Sequence, residues 1–291
     1  MPMDTTELLK KVRRIEIKTR GITQSLFSGE YHSAFKGRGM SFSEVREYQM
    51  GDDIRSIDWN VTARFNHPYV KVFEEERELT LILLVDVSGS EYFGTQKQLK
   101  EDMITELCAV LAFSGLQNND KIGVIFFTDI IEKFIPPKKG KSHILRIIRE
   151  LLEFKPKSTK TDITQALKFL TNAIKKRSIA FMISDFMDGD FTDAMKIASR
   201  KHDLIALRIY DKREKQLPNV GLLKTIDPET EKITWLDTSS KKLRMQYAAA
   251  IDKREKSVAE IFRRTGVDTV SIATDESYMA PLSNLLKKRS K

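Results

Sequence analysis

Three short stretches of the chain carry side chains able to do chemistry. LILLVDVSGS (residues 81–90) ends an apolar run on Asp86 and follows it with Ser88 and Ser90. STKTDITQAL (158–167) places Thr161 and Asp162 at a loop-to-helix junction, and FMISDFMDGD (181–190) ends a second apolar run on Asp185. A carboxylate followed by two hydroxyls at spacing two lets one turning loop present three oxygens to a single point. That donor set suits a small, hard cation such as magnesium, which takes oxygen ligands, uses one or two carboxylates and keeps several waters. Two other readings of Asp86 compete with it. One is a helix cap or satisfied turn, since Asp and Ser favour strand-to-helix connections. The other is a phosphoryl-transfer nucleophile.

The nucleophile reading is the weaker one. A strand ending in Asp resembles the start of the haloacid dehalogenase motif, but that chemistry wants a second acid two positions on. Ser88 stands there, and a hydroxyl is a poor general acid at neutral pH. Nor is PPKKGKS (136–142) a phosphate-cradling loop, because Ile135 occupies the place of the first glycine that the pattern requires. His32, His67, His143 and His202 are scattered without ligand or triad spacing. Cys108 is the single cysteine, which excludes an internal disulfide and thiolate zinc sites.

The elements that must position these residues are legible in the apolar pattern. Strands are expected at 79–87, 121–129, 178–185, 203–211 and 267–275, with 130–137 as an edge strand ended by Pro136 and Pro137. Helices are expected at 95–116, 142–154, 163–176, 191–202, 241–264 and 277–288, and a hairpin at 220–237 around Asp227-Pro228-Glu229-Thr230. Strands alternating with helices predict an α/β fold with a doubly wound, mostly parallel sheet. Right-handed crossovers then bring the C-terminal ends of the parallel strands to one edge, where such sheets bind ligands. Asp86, Asp129, Asp185, Asp211 and Asp275 are all expected there. The texture before residue 79 differs. It reads as an N-terminal amphipathic helix and a glycine-rich, polar segment, which divides the chain into an extension (1–78) packing on a main domain (79–291). Within Gly51-Asp52-Asp53-Ile54-Arg55-Ser56-Ile57-Asp58-Trp59, an Asp is expected to cap a short helix, Arg55 to pair with an acid and Trp59 to anchor the segment on the sheet domain. A partner surface of Arg55, Trp59 and Arg64 is the alternative.

Composition sets the outer bounds. The 291 residues are 41% hydrophobic and 31% charged, as expected of a folded globular chain. There is no apolar run of membrane-spanning length and no signal-peptide pattern, so a cytoplasmic protein is expected. The formal charge is +9, partly gathered in Lys10, Lys11, Arg13 and Arg14 and in Lys287, Lys288, Arg289 and Lys291. Without interleaved aromatics these runs read as solvated faces rather than as a nucleic-acid surface.

The three site stretches together resemble the metal-ion-dependent adhesion site of von Willebrand factor type A domains, which is Asp-x-Ser-x-Ser, then Thr, then Asp, on a Rossmann-like sheet. FSEVREYQMGDDIRSIDWNVTARF (42–65) followed by VKVFEEERELTLILLVDVSGS is similar to the family called "domain of unknown function 58". The resemblance implies a divalent metal, magnesium or manganese, held by Asp86, Ser88, Ser90, Thr161 and Asp185. It implies an open coordination position filled by an Asp or Glu of a client protein, and a MoxR-type AAA+ ATPase as working partner. It implies a binding module and not an enzyme, with a phosphatase-like hydrolase as the alternative and nucleic-acid or membrane-surface binding through the basic ends as a weaker one. The chain departs from the pattern before the threonine, where Ser158, Thr159 and Lys160 replace the usual glycines. Thr159 and Thr161 are both candidates, and Thr161 is favoured because Asp162 and an apolar helix follow it.

Overall fold

The computed structural model describes residues 10–19, 40–75, 79–89, 100–226 and 233–290. Two compact units share the chain. One joins Leu79–Lys291 with the N-terminal stretch through Ala34, and the other is Phe35–Glu78. Within the first, helix α1 (residues 10–19) is tied by ion pairs from Lys18 to Glu106 and from Glu16 to Lys141. The N-terminal helix thus groups with the sheet, and residues 35–78 form a unit of their own.

In the smaller unit, β1 (Met40–Glu47) pairs antiparallel with β2 (Tyr69–Glu75). Between them a single 3-10 turn (Ile54–Ser56) and helix α2 (Trp59–Phe65) are capped by Asp53 and Asp58. Gly51 takes φ 111°, which a side chain would strain, and Asp52 accepts two bonds from Arg46 at 2.7 and 2.8 Å. The capping expectation is met, the arginine paired with an acid of this segment is Arg46 through Asp52, and Trp59 is 66% exposed.

The larger unit is built on a six-stranded sheet. Its strands are β3 (Thr80–Asp86), β4 (Lys121–Phe127), β5 (Ile131–Lys138), β6 (Ile179–Ser184), β7 (Asp203–Tyr210) and β10 (Asp268–Ala273), in the order β10-β7-β6-β3-β4-β5. All neighbours are parallel except β4 and β5. The α/β, doubly wound, mostly parallel architecture is as the apolar runs predict. Helices α3 (Lys100–Gln117), α4 (Lys141–Glu153), α5 (Ile163–Ala173), α6 (Thr192–Lys201) and α7 (Lys241–Thr265) lie in the connections between strands, and α8 (Met279–Ser290) follows the last of them. Alternate residues of the strands bury to opposite sides. Ile82 and Leu84 of β3, Ile125 and Phe127 of β4, and Ala180 and Met182 of β6 form one core with α5, α6 and α7. Leu81, Leu83 and Val85 are equally buried and alternate with them.

One departure from the sequence expectation is instructive. Pro136 and Pro137 do not end β5 but lie inside it. The register jumps from Ile122↔Lys138 to Val124↔Ile135, so both prolines sit in a bulge where no ladder bond needs their missing N–H groups. Gly123 opposes that bulge, and a Cβ there would meet the Ile135 oxygen and the Pro137 nitrogen at 3.0 Å. The hairpin comprises β8 (Leu222–Ile226) and β9 (Ile233–Asp237), and its expected turn at 227–230 lies outside the described residues.

Candidate metal site

Chain direction makes the site. From β3 the strands proceed outward to β4 and β5, whereas β6 starts on the other side of β3 and leads to β7 and β10. Connections leaving β3 and β6 therefore diverge, and a crevice opens between the C-terminal ends of these two strands. Asp86 is the last residue of β3, and Asp185 directly follows β6.

Both carboxylates are buried, Asp86 at 1% exposure and Asp185 at 5%. Asp86 accepts from the Ser88 backbone N–H at 3.0 Å and from the Ser184 hydroxyl at 2.7 Å. Register puts Ser184 level with Asp86 across the β3–β6 pair, and its Oγ also accepts from Phe186 N–H at 3.0 Å. Asp185 accepts from Met187 N–H at 3.0 Å and from the Lys100 ammonium at 3.3 Å. Burial, and then the charge of Asp185, push the Asp86 carboxyl up to about 7, against hydrogen bonds from Ser184 and Ser88 that favour its ionised form. The crevice thus concentrates negative charge that its own hydrogen bonds do not neutralise.

The threonine loop is delivered by long-range pins. Glu132 of β5 accepts from the backbone N–H groups of Lys157 and Ser158 at 2.8 and 3.1 Å and from the Thr128 hydroxyl at 3.1 Å. The Thr159 carbonyl accepts from Gly89 N–H at 2.9 Å, which sets this loop against the serine loop. Asp162 donates its N–H to the Thr128 carbonyl at 3.1 Å and caps α5 by accepting from Gln165 N–H at 2.9 Å. From the other side, Asp188 accepts from Ile163 N–H at 2.7 Å. Asp188 thereby joins two segments that are 25 positions apart in the chain. Asp190 does serve the local turn, bonding Thr192 through both N–H and hydroxyl.

Of the five expected ligands, the fold brings Asp86, Ser88 and Asp185 to one crevice, with the Thr159–Asp162 loop bonded against it; Ser90 lies outside the described residues. Thr161 is half-buried at the loop's end, one residue before the α5 cap. Sequence reasoning missed Ser184, Glu132, Phe186 and Lys100. Phe186 has φ 57°, a left-handed conformation that costs a β-carbon residue about 1 kcal/mol or more. Its ring compensates by packing edge-on against Phe262, with centroids 5.1 Å apart, and near Phe191. The strained turn is what reverses the chain directly after Asp185. Glu101 lines the same small cavity as Asp86, and burial raises its carboxyl while Lys11 opposes that shift.

The other expected strand-end acids have structural work. Asp211 caps the 212–215 turn in a reciprocal capping box with Glu214 and accepts from the Thr274 hydroxyl at 2.9 Å. Asp275 pairs with Lys212 at 3.0 Å. Asp129 lies beyond β4, in the β4–β5 turn.

Residues 44–257 match the family model described as "Protein of unknown function DUF58". The chain belongs to this family. The Mycobacterium tuberculosis protein Rv1480, described as uncharacterized, is 27% identical over 290 residues, covering 99% of this chain and 91% of that one. YeaD of Bacillus subtilis, also described as uncharacterized, is 28% identical over 109 residues, which are 38% of this chain and 25% of that one. Among solved structures, BatB from Bacteroides thetaiotaomicron is similar with a TM-score of 0.49 at 16% identity, over 73% of this chain and 98% of that one. The proximal thread matrix protein of the mussel byssus, whose structure is described as having a zinc-occupied MIDAS motif, gives 0.39 at 16% identity, over 73% of this chain and 47% of that one. No helix among the described residues is long and apolar enough to cross a membrane.

Proposed function

We propose that this protein is a metal-dependent protein-interaction module whose crevice between β3 and β6 holds a divalent cation, with magnesium or manganese the best fit. The observation that carries the reading is the pair of buried carboxylates, Asp86 and Asp185, flanking the topological switch point beside Ser88 and a threonine loop. Buried like charges are costly unless a cation neutralises them. Among the described residues, no three His, Cys, Asp or Glu side chains gather in a metal-holding group. Ligation here would therefore draw on hydroxyls, with Ser88, Ser90 and Thr161 as the direct donors and Asp86 and Asp185 orienting them and the bound waters. Neutral hydroxyl ligands leave the ion electrophilic, so an Asp or Glu of a client protein suits its open position. Working with a MoxR-type AAA+ ATPase in the cytoplasm completes the proposal, and rests on the family resemblance.

The phosphatase alternative fares worse. A nucleophile must reach phosphorus, and Asp86 is 1% exposed with both oxygens accepting hydrogen bonds from within the fold. A non-enzymatic role is therefore the better reading. The test is client capture from cytosol by the wild-type chain with magnesium, with EDTA, and by Asp86→Ala. Capture is expected only in the first case, and equal capture in EDTA would overturn the proposal.

A further inference from the structure

Lys100 is completely buried in the first described turn of α3, and it bridges two acids from different parts of the fold. Its ammonium lies 3.3 Å from Asp185 and 2.7 Å from Glu214. Glu214 belongs to the turn after β7 and is itself fixed, accepting from Asp211 N–H at 3.1 Å. Burying a lysine to this extent is rare and expensive unless the charge is compensated. Here the compensation reaches directly into the crevice.

We infer that Lys100 is the site's resident cation, a positioning residue that holds Asp185 and sets how strongly the crevice attracts a metal. The inference rests on the metal-site reading above and adds its charge regulation. Asp86, Asp185 and Glu214 are three carboxylates linked through the crevice and Lys100 is one ammonium, leaving two negative charges when all are ionised. One divalent ion balances two charges. Glu101 is not bonded into this chain of contacts; burial and Asp102 raise its carboxyl and Lys11 lowers it. Without Lys100 the same crevice would hold three uncompensated charges and bind a cation more tightly. Without the Glu214 carboxylate, Lys100 would lose one of the two acids described against it, and the crevice would attract a cation less. Arg208 does not take over this role: its Nε donates to the Asp185 carbonyl at 3.4 Å, and its Nη2 pairs with Glu255 at 2.7 Å.

Metal binding itself is the readout, with Mn2+ titrated into the metal-free full chain by calorimetry. Lys100→Met is expected to bind Mn2+ at least about tenfold more tightly, from the loss of one positive charge a few ångströms away. Glu214→Gln is expected to bind about threefold or more weakly, and Lys100→Arg to stay near wild type. Damage to the fold does not tighten a site, so the gain separates positioning from mere support. Mn2+ affinity unchanged or weakened in a folded Lys100→Met overturns the inference. Should that variant not fold, unchanged or tighter binding in Glu214→Gln, whose amide oxygen can still accept from Asp211 N–H, overturns it instead. A wild type that binds no Mn2+, or binds it equally as Asp86→Asn, overturns the metal-site reading itself and this inference with it.

Discussion

At the N-terminal edge of the sheet, Arg289 of α8 clasps Asp203 and Asp268, the first residues of β7 and β10, with its nitrogens 2.5–2.6 Å from their oxygens. At the C-terminal edge, Asp86 and Asp185 face each other with Lys100 as the one described ammonium bonded to either. The same residue type stands at strand ends on both sides of one sheet. Below, the two acids share the one fork-shaped guanidinium, a second cation, Lys288, lies 3.8 Å from Asp268, and water has partial access, with side-chain exposures of 28% and 32%. Above, the acids are sealed and in excess. An aspartate at a strand end therefore says little by itself; burial without full charge compensation separates a binding edge from a structural one.

That contrast can be broken from either side. The largest effect is expected from Phe186→Ala, which removes the ring that holds the left-handed turn after Asp185. It should cost about 3–5 kcal/mol in denaturant unfolding, and the surviving folded protein should lose metal-dependent client capture. A loss below about 1 kcal/mol would mean the turn does not depend on the ring.

Asp86→Asn comes next and acts in the opposite direction. The folded carboxyl holds its proton up to about 7, whereas the unfolded one releases it near its ordinary value of 3.8. The folded state thus binds more protons between those values, and the metal-free protein should lose stability as pH rises from about 4 to 7 and then level off. Removing the charge should flatten that slope and stabilise the metal-free protein at pH 8 by ~2–4 kcal/mol. Added magnesium should stabilise wild type and leave the variant unmoved. Thermal melts across pH, with and without EDTA, would show both; a wild-type curve that rises over pH 4–7 would contradict the account.

The smallest effect belongs to the paired edge. Arg289→Ala should cost about 1–2 kcal/mol, with the pH 4–7 slope and the response to magnesium unchanged. A change in either would mean the two edges are coupled.

How much of this was readable from the residues follows from the range of the forces involved. Strands β3, β4, β6, β7 and β10 are apolar runs whose period is local, so their number, order along the chain and edge acids could be read directly. Asp86, Ser88 and Asp185 inherit their placement from that pattern. Ser184 was legible in principle, as a hydroxyl at a strand end next to an acid, but its role depends on the β3–β6 register, which no local pattern encodes. Lys100 and Glu132 carry no local signal at all. Each looks like a surface charge in an amphipathic stretch and becomes special through partners 85 and 25 positions away. Phe186 was hidden for a different reason, since a left-handed turn normally advertises itself with Gly or Asn, and here core packing enforces it on an aromatic residue.

The prolines of β5 also bear on how a partner can approach. A sheet's outermost strand ordinarily offers a row of free donors on which another chain can lay itself as one more strand. Pro136 and Pro137 supply no N–H to such a row, and the bulge around them breaks the straight run that strand addition requires. Recruitment by lengthening the sheet is thereby discouraged on this flank, in the manner of a built-in guard against self-association. A client of the kind proposed above would instead be recognised by its side chains, at the loops where the strands end.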